Sequence, residues 1–344
     1  MTGGAVVRPV TPPAHADPAR QVQREWLVTN GIGGYASGTV SGLVTRRYHG
    51  WLVAALPNPL GRTVMLTHVS EQLRLPDGHS VELRAEETEA RLELHGDPYL
   101  TEFSLVDGLP RWRYDIGGTV LEKRVVLAHR HNMVHLTYRL VTGDGEVLFQ
   151  LRPSMHFRHY EAAVNSELAR YSLLAVDDRY EIVGDPAFPP LRLRLHARDT
   201  AFTHRPRTIS HVVHRAEQSR GYDSRGDLWS PGYFQVRLQP GEETTLVAAT
   251  EPWEVVDGAV LGPEAFVVRF FGSSGQDRLL VVNLGTDLSL VPNPEPLLAP
   301  PARGRWVELW SSEDPRYGGS GTPESDVRGP WTLAAHSALF LGSP

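Results

Sequence analysis

The sequence predicts an all-β chain, a large antiparallel β-sandwich followed by a small carboxy-terminal β-sandwich. Three observations carry that prediction. Apolar and polar residues alternate with a period of two in Leu191-Arg192-Leu193-Arg194-Leu195-His196, in Val134, Leu136, Tyr138 and Leu140, and in Phe234, Val236 and Leu238. That is the pattern of strands with one buried and one solvated face. Turn signals separate the runs at Pro76-Asp77-Gly78, Thr142-Gly143-Asp144-Gly145 and Gln239-Pro240-Gly241-Glu242, where glycine and proline set the backbone angles that tight turns need. Finally, no βαβ rhythm runs through the chain, which separates a sandwich from a doubly wound sheet.

The elements follow in order. Residues 1–20 are rich in Pro, Ala and Gly without apolar periodicity, and read as a flexible tail. The large sandwich is expected over 21–256, with one helical stretch around Glu161 to Leu173. After Trp253-Glu254-Val255-Val256 the pattern is interrupted by Asp257-Gly258 and Gly262-Pro263, so the second unit is expected over 257–344. Its strands are read at Leu279 to Leu284, Trp306 to Trp310 and Ser337 to Leu341, around a proline-rich segment from Val291 to Pro301. A length of 344 residues suits about two domains, each with its own core.

Composition narrows the functional classes. The chain has no cysteine, which removes disulfides, thiolate metal sites and cysteine nucleophiles and suits a cytoplasmic protein. Neither a signal peptide nor an apolar run long enough to cross a bilayer is visible, so no membrane partner is expected. A net charge of −6 gives no general attraction to nucleic acid. Lys123 is the lone lysine, and no phosphate-binding Gly-Lys-Ser/Thr loop occurs. No cofactor is expected.

Two motifs stand out. Gly31-Ile32-Gly33-Gly34-Tyr35-Ala36 satisfies the spacing of a dinucleotide loop after the strand-like Glu25-Trp26-Leu27-Val28-Thr29. That site needs a helix next, with its positive end on the pyrophosphate. The residues that follow, Ser37-Gly38-Thr39-Val40-Ser41-Gly42, are poor helix formers, so the glycines are read as tight turns or close backbone approaches. Downstream, Thr45-Arg46-Arg47-Tyr48-His49-Gly50-Trp51 gathers planar donors and flat apolar rings, the groups that bind sugar hydroxyls and pyranose faces. Taken alone, Tyr48 and Trp51 suit a hydrophobic core equally well.

The stretch Glu25 to Thr39, with Thr45-Arg46-Arg47-Tyr48-His49-Gly50 and Leu60-Gly61-Arg62, resembles the amino-terminal domain of bacterial and archaeal glycogen debranching enzymes. A weaker likeness runs through Ser230-Pro231-Gly232-Tyr233 to about Trp253. The resemblance implies a β-sandwich of the supersandwich type, which in that family precedes an α/α-barrel whose carboxylates cleave α-1,6 branches. It also implies that Asn30, Arg46, Arg47, Tyr48 and His49 lie toward substrate; Trp51 joins them as a ring for a sugar face. Beyond residue 256, Asp277 to Gly285, Trp310 to Gly321 and His336-Ser337-Ala338 resemble the carboxy-terminal β-domain of α-amylase-clan enzymes, particularly maltooligosyltrehalose trehalohydrolases. In both families these modules are accessory to the barrel.

The functional expectation is therefore an accessory or binding protein of glycogen and α-glucan metabolism, with an α-glucan or maltooligosaccharide as ligand and no catalytic residues of its own. Acidic residues such as Asp115, Glu122, Asp177, Asp178, Asp223, Asp227 and Asp314 do not single out the carboxylate pair a glycosidase needs. Two alternatives stay open. The chain could be a subunit of a split glycoside hydrolase whose catalytic barrel is a separate protein. Or it could be a metal-dependent β-sandwich enzyme using His129 with His131 and His135, His156 with His159, or His211 with His214.

Overall fold

The computed structural model describes residues 7–10, 22–89, 91–176, 178–252, 255–272, 276–290, 295–300, 305–321 and 331–343. It is all-β and divides into two compact units, Met1–Glu251 and Pro252–Pro344. That division falls a few residues before the boundary read from the sequence.

Unit one is built on three antiparallel sheets. The largest has nine strands, in the order Val7–Val10, Leu100–Val106, Leu109–Ile116, Thr119–Leu127, Met133–Thr142, Glu243–Ala249, Leu191–His196, Arg179–Val183 and Ser172–Val176. A five-stranded sheet orders Thr200–Val213, Arg225–Leu238, Val147–Ser154, His68–Arg74 and Ser80–Glu82. A second five-stranded sheet orders Arg158–His159, Arg62–Leu66, Gly50–Ala55, Tyr35–Thr39 and Glu25–Thr29.

The alternating sequence explains how these sheets face one another. Val134, Leu136, Tyr138 and Leu140 are buried on one face of their strand, and Leu191, Leu193 and Leu195 do the same. Tyr138, from the nine-stranded sheet, meets Phe149 of a five-stranded one with ring centroids 4.9 Å apart. Burying side chains of that size contributes about 1.5–3 kcal/mol each. The three turn signals sit between strands, and Gly78 and Gly241 adopt positive φ of 88° and 93°.

Three local expectations are corrected. The helix expected at Glu161 to Leu173 is absent: residues 161–170 form turns and irregular backbone, and a strand begins at Ser172. Val164 is buried there and the Tyr171 ring packs on Phe157 at 5.0 Å, so packing prevails over the weak intrinsic preference of a short helical stretch. The one α-helix among the described residues is Arg215–Ser219. The expected tail contains a strand, since Val7–Val10 pairs with Phe103 to Val106 at the sheet edge, where Pro9 is tolerated. The rest of 1–20 lies outside the described residues.

Unit two is a five-stranded antiparallel sheet in the order Val255–Gly262, Ala265–Phe271, Arg278–Asn283, Ser337–Gly342 and Val307–Ser311, with the pair Leu288–Leu290 and Trp331–Leu333. Its core joins Val267, Leu279, Val281, Trp306, Trp331 and Leu339. Asp257-Gly258 does not interrupt this unit, because both residues pair within the first strand, opposite Arg269 and Val268. Of the proline-rich segment, Pro296–Leu298 forms a single tight turn with Leu297 and Leu298 in the core; residues 291–294 and 301 lie outside the described residues. No helix among the described residues is long and apolar enough to cross a membrane.

Candidate functional site

The strands Glu25–Thr29 and Tyr35–Thr39 form a hairpin in which Leu27 faces Ser37 and Thr29 faces Tyr35. Alternation sends Trp26, Val28 and Ala36 into the core and leaves Glu25, Leu27 and Thr29 outside. The connecting loop is fixed by Asn30. Its N–H donates to Gly34 O at 3.1 Å, its Oδ1 accepts from Ile32 N–H at 3.1 Å, and its Nδ2 donates to His131 O at 3.0 Å. Gly31 and Gly33 have φ of 82° and 102°, angles that favour glycine. A strand follows directly, so the loop has no helix end for a pyrophosphate.

Residues 45–49 fold back over this hairpin. The Thr45 N–H donates to His49 Nδ1 at 3.3 Å, which leaves the ring proton on Nε2, 3.5 Å from Glu25 Oε1. Burial, with Arg46 and His214 nearby, lowers His49 to about 3, so the imidazole is neutral near pH 7. Arg46 Nε donates to the same Glu25 oxygen at 2.6 Å. Tyr48 Oη accepts from Arg46 Nη1 at 3.4 Å and from Arg220 Nη1 at 3.0 Å, and Tyr48 O accepts from Tyr35 Oη at 3.0 Å.

These groups surround an open cleft of about 540 Å³. Leu27, 60% exposed, gives it an apolar floor, while Tyr35, Tyr48, Tyr160, Arg46 and Arg62 line it. Arg62 is held by Gly33 O at 2.9 Å and lies 5.7 Å from the Tyr160 ring centre. Glu25 is the one carboxylate lining the cleft among the described residues.

Of the residues singled out in the sequence, Arg46, Tyr48 and His49 line this cleft, and the other three do not. Asn30 is buried and holds the hairpin loop. Arg47 turns toward the short helix: its N–H donates to Glu217 Oε1 at 3.2 Å and its guanidinium lies over the Tyr222 ring at 5.0 Å. Trp51 is buried beside Trp26, with the Lys123 ammonium 4.1 Å from its ring centre, so its face is already covered by the core. Glu25, Leu27, Tyr35, Arg62 and Tyr160 belong to the cleft but were not singled out. The signal for Leu27 was present, since it is apolar in the polar phase of its strand. Tyr160 carries no local signal, because only the pairing of Arg158–His159 with Arg62–Leu66 brings it near.

His129 and His131 lie in a turn between strands, not on one strand face, and among the described residues no group of three or more His, Cys, Asp or Glu is placed to hold a metal ion.

Unit one is thus an antiparallel β-sandwich with an aromatic and cationic cleft beside the Glu25–Thr29 and Tyr35–Thr39 hairpin. Residues 24–245 match the family described as Glycogen debranching enzyme N terminal, and the chain belongs to that family. Residues 253–340 match a second family, Domain of unknown function (DUF3459), a carboxy-terminal domain of α-amylase-family enzymes. No curated protein matches the chain in sequence. Among solved structures, a crystal structure of a candidate aldose 1-epimerase from Escherichia coli K12 is similar over 65% of this chain and 97% of that one, at 12% identity and a TM-score of 0.32. The family places the chain in glycogen-debranching-related carbohydrate metabolism.

Proposed function

We propose that the chain is an accessory, α-glucan-binding protein of glycogen metabolism, and that the cleft around Leu27 holds a maltooligosaccharide segment. One observation carries this reading: the rings of Tyr35, Tyr48 and Tyr160 and the guanidiniums of Arg46 and Arg62 line one cleft inside the segment that matches the debranching-enzyme family. Rings take the apolar faces of pyranoses, and guanidinium forks take their hydroxyls. Hydrolysis of a glycosidic bond uses two carboxylates flanking it. Among the described residues the cleft offers Glu25 alone, and that group is committed to Arg46, which favours binding over chemistry at this place. The test is affinity electrophoresis of the full chain in gels containing glycogen, with calorimetry on maltoheptaose. Retardation that is lost in a folded Tyr160→Ala variant supports the reading; a wild-type chain that binds neither ligand overturns it.

A second reading, the split hydrolase with its barrel on another chain, is favoured by the exposure of Leu27 at 60% and Ile32 at 42% on the same hairpin. Exposed apolar side chains grouped this way suit a protein partner. Leu27→Asp with Ile32→Asp tests it: release of a co-purifying glycoside hydrolase barrel supports this reading, and purification of the wild-type chain with no such partner opposes it.

A further inference from the structure

A second concave site lies on the other five-stranded sheet of unit one. Its outward face carries Gln72 and Gln150, paired across adjacent strands, and Arg152 beside Tyr233. The neighbouring strand bulges between His204 and Arg207 and brings Arg205 and Arg207 over the same spot, closing a pocket of about 250 Å³. It shares no residue with the cleft around Leu27.

The charge in this pocket runs against that of the molecule. The chain carries a net charge of −6, yet four arginines line the pocket. Arg84 is neutralised by Glu82 and Glu86. The carboxylate of Glu71 turns away, into the core, to Lys123 and Tyr138. Among the described residues no carboxylate pairs with Arg152, Arg205 or Arg207. Arg152 instead donates to Arg205 O and Ser230 Oγ at 3.2 and 3.3 Å. Partial burial, with Arg207 and Arg205 close by, pushes Arg152 down to about 10, the mark of cations held together without a counter-ion. The Gln72 and Gln150 amides have no hydrogen-bond partner among the described side chains.

We infer that this pocket binds a phosphorylated monosaccharide, its phosphate held by Arg152, Arg205 and Arg207 and its hydroxyls by Gln72, Gln150 and Tyr233. Guanidinium forks match phosphate oxygens in pairs, and neutral amides and a phenol recognise hydroxyls without competing for the anion. The volume of about 250 Å³ has room for one sugar ring.

The experiment is calorimetry on the full chain with glucose 6-phosphate, inorganic phosphate and glucose, each at low and high salt. Glucose 6-phosphate is expected to bind more tightly than phosphate, to weaken as salt rises, and to lose about tenfold or more in affinity in Arg205→Ala/Arg207→Ala. Both positions are exposed, so this variant is expected to keep the wild-type melting temperature; Gln150→Leu supplies a second, uncharged test and should weaken glucose 6-phosphate but not phosphate. Equal affinity for phosphate and glucose 6-phosphate overturns the sugar half of the assignment. Failure of both to bind, or binding untouched by the arginine variant, overturns the site.

Discussion

Glu25 Oε1 receives the Arg46 guanidinium at 2.6 Å, and this contact joins the first strand of the hairpin to the segment that folds over it. Both partners are partly exposed, so the pair adds under about 1 kcal/mol to stability. Its consequence is positional, because Arg46 also reaches the Tyr48 hydroxyl. Glu25→Gln is therefore expected to leave the urea midpoint nearly unchanged while weakening maltoheptaose binding severalfold. Unchanged affinity would separate this pair from ligand recognition.

Acid should destabilise the chain through its buried imidazoles. Burial, helped by nearby cations, lowers His49 to about 3 and His156 and His214 to about 4, below an unfolded value of about 6.5. Between those values the unfolded chain binds more protons than the folded one, so stability rises with pH across that window. The contribution is complete above about pH 6.5 and is lost progressively toward about pH 4, at up to about 1.4 kcal/mol per pH unit for each group. Calorimetric melting temperatures should fall from about pH 6.5 to about pH 4.5, and less steeply in His156→Gln than in wild type; a wild-type curve level over this range contradicts the assignment.

Much of this fold was legible in the sequence because the strands are half-buried. Leu191 to His196 and Val134 to Leu140 alternate so regularly that their inward faces can be read residue by residue. The glycine loop was legible for the same local reason, as Gly31 and Gly33 need positive φ. The cleft was legible only in part. Arg46, Tyr48 and His49 sit in one short motif, but Tyr160 and Arg62 join them through strand pairing, which leaves no periodic trace. Trp51 shows the converse: a tryptophan beside a sugar-like motif belongs to the core, buried with Lys123 and Trp26 packed against its ring.

Gly34 has no room for a side chain. A methyl group there would meet Asn30 Nδ2 at 2.5 Å, Val53 O at 3.0 Å and Asn132 Oδ1 at 3.1 Å. Asn30 cannot yield easily, since it is buried and bonded to His131 O. Gly34→Ala should cost about 1–3 kcal/mol in urea unfolding and loosen the hairpin loop, seen as faster amide exchange at Ile32. An unchanged midpoint would mean that the loop shifts freely.

Lys123 and Glu71 form a buried ion pair inside an aromatic enclosure. The ammonium lies 4.1 Å from the Trp51 ring centre, 5.5 Å from that of Trp112 and 5.6 Å from that of Tyr138, while Glu71 also accepts from Tyr138 Oη at 2.8 Å. Removing one charge strands the other in the core. Lys123→Met is therefore expected to destabilise the chain by about 3–5 kcal/mol. Adding Glu71→Gln removes the stranded charge and keeps an acceptor for Tyr138, so the double variant should recover a large part of that loss. If chemical denaturation finds the double variant no more stable than Lys123→Met, the loss comes from the cavity beside Trp51 and not from an unpaired carboxylate, because only the electrostatic account lets a second mutation at Glu71 repair the first.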